Sequence, residues 1–230
     1  SLPAAQVALG SDPEGAPMDE AWNYRSVIGM LLYLSTNTRP DIAFAVSQLA
    51  RFSNNPKKSH ATALKTLVRY LKGTIHIGTI FRPDGTHNME CYVDADFCGL
   101  HGVEHEDDPI SAKSRTGFVI SYGKCLLIWK SVLQTDTATS TLHAEYTALS
   151  HALREVIPLR QQIMEVLSVL IPATVIPTPV IRCTIFEDNQ GALSLATTHR
   201  LSNQTKVLNY MLHHFWEHVE RKGEKSSDGD

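Results

Sequence analysis

The sequence predicts an α/β or α+β domain preceded by a helical segment. The first supporting observation is the order of the patterns: helical periodicity comes first, strand-like segments follow, and the last part mixes both. The second is the composition, since 43% hydrophobic and 20% charged residues are ordinary values for a globular protein. The length of 230 residues suits one large domain or one domain with an appendage.

Charge and cysteine usage exclude several functional classes. The net charge of −3 gives no global cationic field, so any nucleic-acid binding must come from a local patch. The four cysteines form no CxxC pair, which favours packing roles in a reducing compartment. No apolar run reaches the ~20 residues that cross a bilayer, and the start is not signal-like. We therefore expect an intracellular protein that is not secreted and has no membrane partner.

Helical patterns occupy the first third of the chain. Residues 1–20 are rich in Ala, Pro, Gly and acid, which predicts a linker or a frayed end. The apolar positions of WNYRSVIGMLLYLS predict a first helix. In TRPDIAFAVSQLARFS, Pro40 and Asp41 suit the first turn of a second helix. A third helix is predicted to start at Pro56 and to stop at Gly73.

The third predicted helix has one apolar side and one basic side. Its apolar side includes Leu64, Leu67 and Val68. Its basic side carries Lys57, Lys58, Lys65, Arg69 and Lys72. Taken alone, a basic side is most simply a solvated face, and the alternative is a rail for nucleic-acid phosphates.

Strand-like segments follow Gly73. IHIGTIF and MECYVDA are candidate strands joined by a PDGT turn. After the polar, loop-like insertion LHGVEHEDDPISAKSR, strand character resumes in TGFVISYG and CLLIWKS. Such short joints predict an antiparallel meander. We interpret Trp129 and Lys130 as strand residues rather than as contacts to a nucleic-acid base.

A long helical stretch runs from about Ser140 to Leu170. Ser140 or Thr141 can cap it, and Pro158 predicts a split into two helices. The patterns that follow are a Pro-broken connector (IPATVIPTPV), a short strand ending in acid (IRCTIFEDN), a short helix (NQGALSLAT), a final helix (TKVLNYMLHHFWEHVERKGE) and a disordered tail. His214 and His218 share one face of the final helix, where packing or solvation is a simpler role than metal binding.

Acidic side chains stand at strand ends and at the start of the long helix. On the strand CYVDADFCG, Asp94 and Asp96 share one face, where two carboxylates repel each other unless a cation or solvent separates them. Glu145 lies in the first turns of the long helix, and Asp188 ends the strand in FEDN. These carboxylates can converge on hard cations such as Mg²⁺, and a pair of such ions can hydrolyse a phosphodiester. For each acid alone, an exposed or capping role is the simpler alternative.

Several longer motifs follow one another from about Tyr24 to Glu220. YRSVIGMLLYLSTNTRPDIAFAVSQLARF and NPKKSHATALKTLVRYLKGT are similar to a helical segment that joins a reverse-transcriptase palm to ribonuclease H. The later motifs, similar to successive ribonuclease H motifs, are CYVDADFCG, SRTGFVISYG, IWKSVLQT, STLHAEYTALS and EDNQGAL. As an ordered set, they resemble the C-terminal part of the polyprotein of copia-type LTR retrotransposons.

The resemblance implies a fold and a division of the chain. We expect a ribonuclease H-like mixed sheet with flanking helices, preceded by a small helical segment. Residues 1–20 would be a linker or disordered end, 21–86 the helical connection segment, 87–222 the ribonuclease H-like domain and 223–230 a disordered tail. The chain ends before the family's closing strand and its fourth carboxylate, so we expect both to be missing. In the preceding motif, Val207 and Asn209 replace the family's usual His and Asp.

The resemblance also implies an activity. Asp94, Glu145 and Asp188 match the family's first three catalytic, metal-binding carboxylates, whereas Asp96, Glu187 and Asn189 would only support them. The expected reaction is Mg²⁺-dependent cleavage (Mn²⁺ is also possible) of the RNA strand of an RNA–DNA hybrid during reverse transcription. The 2′-hydroxyls and groove shape would identify the hybrid. The expected partners are this hybrid and an upstream reverse-transcriptase domain, in the cytoplasm, a virus-like particle or the nucleus.

Two alternatives to this activity remain. The chain would be an inactive retroelement remnant if the missing fourth carboxylate is essential, and it would then at most bind nucleic acid through the basic side of the third helix. Another enzyme of the same broad fold, such as a transposase or resolvase, is disfavoured by the helical segment with RYLKGT.

Overall fold

The structure is a computed structural model that describes residues 9–19, 21–171 and 181–197. The predicted final helix, the tail, His214 and His218 lie outside the described residues, as do Val207 and Asn209 and any closing strand. Within the described residues, no helix is both long enough and apolar enough to cross a membrane.

The first part of the chain is helical, as the sequence predicts. Its helices are α1 (Tyr24–Asn37), α2 (Ala43–Ala50) and α3 (Lys58–Gly73), with a 3₁₀ turn at Pro40–Ile42. Apolar side chains of the three helices form one buried cluster, which includes Ile28, Val46 and Leu64. Val68, expected on the apolar side of α3, is instead exposed because it lies at the margin of that side.

A mixed sheet of four strands forms the second part of the described chain, so the fold is α/β. The strands are β1 (Asn88–Asp96), β2 (Arg115–Tyr122), β3 (Cys125–Leu133) and β4 (Arg182–Phe186), in the spatial order β3-β2-β1-β4. β1, β2 and β3 are antiparallel neighbours, which confirms the predicted meander. β4 pairs with β1 in parallel, so the chain between β3 and β4 must return to the far end of the sheet.

The long helix α4 (Thr141–Leu170) makes most of that return and covers one face of the sheet. The Ser140 side chain accepts a hydrogen bond from the His143 backbone N–H at 3.1 Å, which confirms the predicted cap. The predicted split at Pro158 is wrong, because one helix continues through it. Apolar residues on both sides of Pro158, among them Ile157 and Ile163, pack against the sheet core and outweigh the missing backbone hydrogen bond. The last described helix is α5 (Gln190–Thr197).

The predicted strand IHIGTIF is also wrong. Residues 75–81 form no strand, and Ile75 and Ile80 are 74% and 69% exposed. Its sequence neighbour β1 already pairs with β2 on one side and with β4 on the other. A β-prone segment without a free strand edge beside it has no partner for its backbone groups, so propensity alone does not make it a strand.

The helical part packs against the sheet face opposite α4. Phe118 and Ile120 of β2 face α4, so Val119 and its partner Trp129 on β3 face the other way. The Trp129 indole N–H donates to the Ser35 carbonyl at 2.6 Å, and the Arg115 guanidinium donates to the Ser47 hydroxyl at 2.7 Å. Trp129 is therefore a strand residue whose side chain joins the sheet to α1, as the sequence interpretation of a strand predicts.

Candidate metal centre

Strand β1 sorts its side chains onto two faces. Met89, Cys91, Val93 and Ala95 are buried, whereas the alternating residues Tyr92, Asp94 and Asp96 are exposed. Asp94 and Asp96 thus share one face, as the strand periodicity predicts. Asp94 stands near the carboxyl end of β1, opposite Gly117 of β2.

The parallel pairing of β1 and β4 brings the second acid to the first. The last registered pair is Tyr92 with Phe186, and the same register continued by two residues places Asp188 beside Asp94. Carboxyl ends of parallel neighbours meet at one edge of a sheet, so two acids far apart in sequence become neighbours in space.

Helix α4 supplies the third acid. Glu145 lies in the first two turns after the Ser140 cap and is only 5% exposed, whereas Asp94 and Asp188 are exposed. One carboxylate oxygen from each of the three residues lies within 4.8 Å of the other two. The structure therefore brings together the three acids that the sequence singled out.

The pKa of Glu145 is raised to about 7, first because the carboxyl is buried. The negative charges of Glu187, Asp94 and Asp188, in that order, raise it further, and a hydrogen bond from the Ala95 backbone N–H acts in the opposite direction. Burial likewise raises the pKa of Glu187 to about 6. The site therefore holds several carboxyl groups close together although their negative charges repel one another.

A divalent cation fits this donor set. The Glu145 Oε2 atom is buried and has no hydrogen-bond partner among the described residues, which is costly for a carboxylate unless a proton or a cation satisfies it. Clustered carboxylate oxygens are the ligands that Mg²⁺ and Mn²⁺ prefer in proteins. Asp94, Glu145 and Asp188 are therefore the residues that could hold such an ion.

Two of the expected supporting residues are engaged elsewhere. Asp96 faces Arg115 in the strand register, and its carboxylate lies over the next loop, since a Cβ on Gly99 would be 1.8 Å from Asp96 Oδ2. The Asn189 side chain accepts from the Ala192 backbone N–H at 3.0 Å and so caps α5.

Glu187 differs from these two residues, because it is buried next to Glu145 and its charge is the largest acidic influence on the Glu145 pKa. The sequence contained a signal for this position, since strand alternation puts Glu187 in phase with the core-facing Ile185.

The basic residues stand apart from the acids. Lys58, Lys65, Arg69 and Lys72 are exposed on α3 and Lys57 is half-buried, whereas the acids come from β1, α4 and β4. Burial and neighbouring carboxylates are the main causes of the raised pKa values of Glu145 and Glu187. The basic row is thus a separate surface and does not neutralise the acidic centre.

A cleft of about 310 Å³ opens beside Asp94 on the exposed sheet face. Phe44 and Pro40 of the helical part line it from one side, and Tyr92 and Gly117 belong to its sheet side. Among the described residues, a Cβ on Gly117 would meet only the Asp94 carbonyl oxygen, at 3.9 Å, so no contact in that part of the chain requires a glycine there. A strand glycine without such a constraint often marks the close approach of another molecule.

Fold and site together define an α/β protein with a candidate site for divalent cations. The chain is 33% identical over 193 residues to the retrovirus-related Pol polyprotein from transposon RE1 of Arabidopsis thaliana, and 32% identical over 197 residues to that from transposon TNT 1-94 of Nicotiana tabacum. These matches cover 84% and 86% of the chain but only 12% and 13% of the two polyproteins. It is also 36% identical over 134 residues to the secreted RxLR effector protein 161 of Plasmopara viticola, a match that covers 58% of the chain and 89% of that protein.

Homologues of this chain therefore include retrovirus-related Pol polyproteins from copia-type transposons, which match it over most of its length. It spans about one eighth of the length of the two polyproteins named above. No protein-family model and no solved structure matches it.

Proposed function

We propose that this chain is the ribonuclease H region of a retrotransposon polyprotein and hydrolyses the RNA strand of an RNA–DNA hybrid. The observation that carries this proposal is the convergence of Asp94, Glu145 and Asp188 within 4.8 Å at the carboxyl ends of two parallel strands. The mixed sheet with α4 on one face is compatible with a ribonuclease H-like fold, and the Pol relatives support a retroelement origin.

Each acid has its own part in holding the metal. Asp94 would hold the ion from the exposed face of β1, and Asp188 would hold it from the end of the neighbouring strand β4. Glu145 comes from α4, on the other side of the sheet, and the Ser140 cap sets where that helix begins and so where Glu145 lies. Bound Mg²⁺ (or Mn²⁺) supplies an activated water and neutralises charge on the leaving oxygen of the phosphodiester. The protein's contribution is thus to position three ligands on rigid elements.

The substrate would approach over the exposed face beside Asp94. The absence of a side chain at Gly117 leaves room for a sugar-phosphate backbone, and the exposed Tyr92 and Phe44 border the same cleft. The α3 surface formed by Lys58, Lys65, Arg69 and Lys72, with Lys57, would add attraction for phosphates. Since the polyprotein relatives are much longer, an upstream reverse-transcriptase domain would be the natural partner that delivers the hybrid.

The test compares cleavage of a labelled RNA–DNA hybrid by the native chain and by Asp94→Asn, each with and without Mg²⁺. We expect the substitution to lower the rate by about 10² to 10⁴-fold, because it removes a ligand worth several kcal/mol in the transition state. Asp96→Asn is the matched control, since it makes the same change two residues away on the same strand face.

Equal Mg²⁺-dependent cleavage by the native chain and Asp94→Asn would contradict the assignment of Asp94. Salt-sensitive hybrid binding without turnover in the native chain would identify an inactive remnant instead.

A further inference from the structure

Glu187 lies on the core side of the candidate metal centre. It follows β4 directly, and strand alternation points its side chain to the face of Cys183 and Ile185, opposite to that of Asp188. The residue is only 9% exposed, yet it lines a second cleft, of about 390 Å³, together with Asp94 and Asp188. A buried carboxyl therefore reaches the centre from the core side, as Glu145 does.

One of the two Glu187 carboxyl oxygens accepts a hydrogen bond, whereas the other has no hydrogen-bond partner among the described residues. Its Oε1 atom accepts a hydrogen bond from the Asn189 backbone N–H at 3.2 Å. Its Oε2 atom is buried without a hydrogen-bond partner in the part of the chain that the structure describes, and the same is true of Glu145 Oε2. Two neighbouring buried carboxyls with an orphaned oxygen each are a strongly unfavourable arrangement unless a positive species lies between them.

No protein group among the described residues supplies that positive species. Burial, neighbouring carboxylates and backbone N–H groups act on the pKa values of Glu145 and Glu187, and the two carboxyls also lie close enough for a side-chain hydrogen bond that lowers the pKa of Glu187. A shared proton or a bound cation remains. The cation accounts for more of the structure, because Glu187 also faces the cleft that holds Asp94 and Asp188, where further ligands are available.

We propose that Glu187 is a fourth carboxylate ligand of the metal centre and holds, together with Glu145, one of two divalent cations. This assignment rests on the proposed function for the existence of the centre and adds a ligand to it. Four carboxylates carry four negative charges, which two divalent cations balance. Glu187 lies outside the group of three whose oxygens all lie within 4.8 Å of one another, as expected for a ligand on the far side of a two-ion site.

The experiment counts bound Mn²⁺ in the full chain by calorimetry and by electron paramagnetic resonance of the free ion. We expect two ions for the native chain, one for Glu187→Gln and two for Asp96→Asn, which removes an equal charge from the same edge of the sheet. Circular dichroism of the metal-free proteins checks the fold, and Glu187→Gln should fold because it relieves repulsion with Glu145. Two ions in Glu187→Gln, or only one in the native chain, would overturn the assignment.

A second variant separates direct ligation from indirect support. In Glu187→Cys, a thiolate on Cd²⁺ should give a charge-transfer absorption in the ultraviolet that exceeds the absorption of the native chain, whose own four free cysteines serve as the baseline. Absence of the band in a folded variant would assign Glu187 to the proton-sharing alternative.

The hybrid-cleavage assay keeps the two proposals distinct. A native chain that binds two Mn²⁺ but does not cleave would refute the nuclease function and leave the Glu187 assignment standing. If the native chain cleaves the hybrid and Glu187→Gln still binds two ions, the nuclease function would stand and the Glu187 assignment would be refuted.

Discussion

Two regions of this molecule bury charged side chains. One pairs opposite charges, and the other gathers like charges. Where the helical part meets the loop between β1 and β2, the Arg51 and Glu104 side chains are 9% and 2% exposed and form an ion pair. The second Glu104 oxygen accepts from the Ser11 backbone N–H at 3.0 Å, and Arg51 also donates to the Gln48 side chain at 2.7 Å. In the candidate metal centre, Glu145 and Glu187 are buried among like charges, and each has one carboxylate oxygen without a hydrogen-bond partner among the described residues.

The pKa directions express the same contrast. A hydrogen bond from Arg39 lowers the pKa of Asp41, whereas burial raises that of Glu145 to about 7. A carboxylate with its own cation in the protein is part of the scaffold, and its charge is already balanced. A buried carboxylate without one lowers stability until a ligand arrives, so the imbalance itself marks the functional site.

Breaking the balanced pair should have the largest effect. We expect Arg51→Ala to lower the free energy of unfolding by about 3–5 kcal/mol, because Glu104 would stay buried without a partner. Urea unfolding measures the loss. The double variant Arg51→Met with Glu104→Leu should lose less, since no lone charge remains. A single-variant loss as small as that of a surface substitution would remove the contrast between the two regions.

Neutralising a buried carboxyl of the candidate metal centre should raise the free energy of unfolding, and by less than the loss of the ion pair lowers it. Glu145 binds a proton more tightly in the folded state, with a pKa of about 7 against an ordinary value of 4.5. The metal-free protein therefore loses stability as pH rises through that window, and above it the full penalty applies. Glu145→Gln should be more stable than the native chain by about 1–3 kcal/mol near pH 8, with the difference shrinking towards pH 4.5.

Urea unfolding with a chelator at several pH values measures this difference. Added Mg²⁺ should stabilise the native chain and leave Glu145→Gln almost unchanged, which reverses their order. A difference between the two proteins that stays constant with pH would contradict the pKa assignment.

Exposed charges form a third class and should affect stability least. Replacing Arg69 and Lys72 on α3 by Ala should change the free energy of unfolding by only about 0.5 kcal/mol. If the basic row contacts phosphates, hybrid affinity should fall and its salt dependence should flatten by about one unit of slope per lost contact. Fluorescence titrations at several salt concentrations test this, with the exposed Arg154 of α4 replaced by Ala as the control. Equal salt slopes in all variants would assign the row to solvation.

Local patterns predicted most of the described fold and the position of the three acids. Strand alternation placed Asp94 and Asp96 on one face, and the Ser140 cap fixed where α4 starts and so where Glu145 points. Convergence with Asp188 was inferred as a possibility from its position at a strand end, and the family resemblance implied it, because sequence periodicity does not reveal which strands pair.

Where the local sequence pattern failed to predict the structure, tertiary packing had overridden it. The β-prone segment 75–81 could not pair with its sequence neighbour β1, which has a strand on each side, and Pro158 stayed inside a helix held by apolar contacts on both sides. Glu187 was expected only to support the centre, because its burial depends on how α4 lies against β4. The cleft residues Phe44 and Gly117 were missed, since they become neighbours only when α2 docks on the sheet.

The parallel pairing of β1 with β4 makes the centre a late product of folding. Asp94 and Asp188 are separated by the whole meander and by the thirty residues of α4, so they meet only after the longest loop closure in the sheet. In a chain that folds as it is synthesised, the candidate site would therefore assemble only after residues 182–188 have joined the sheet.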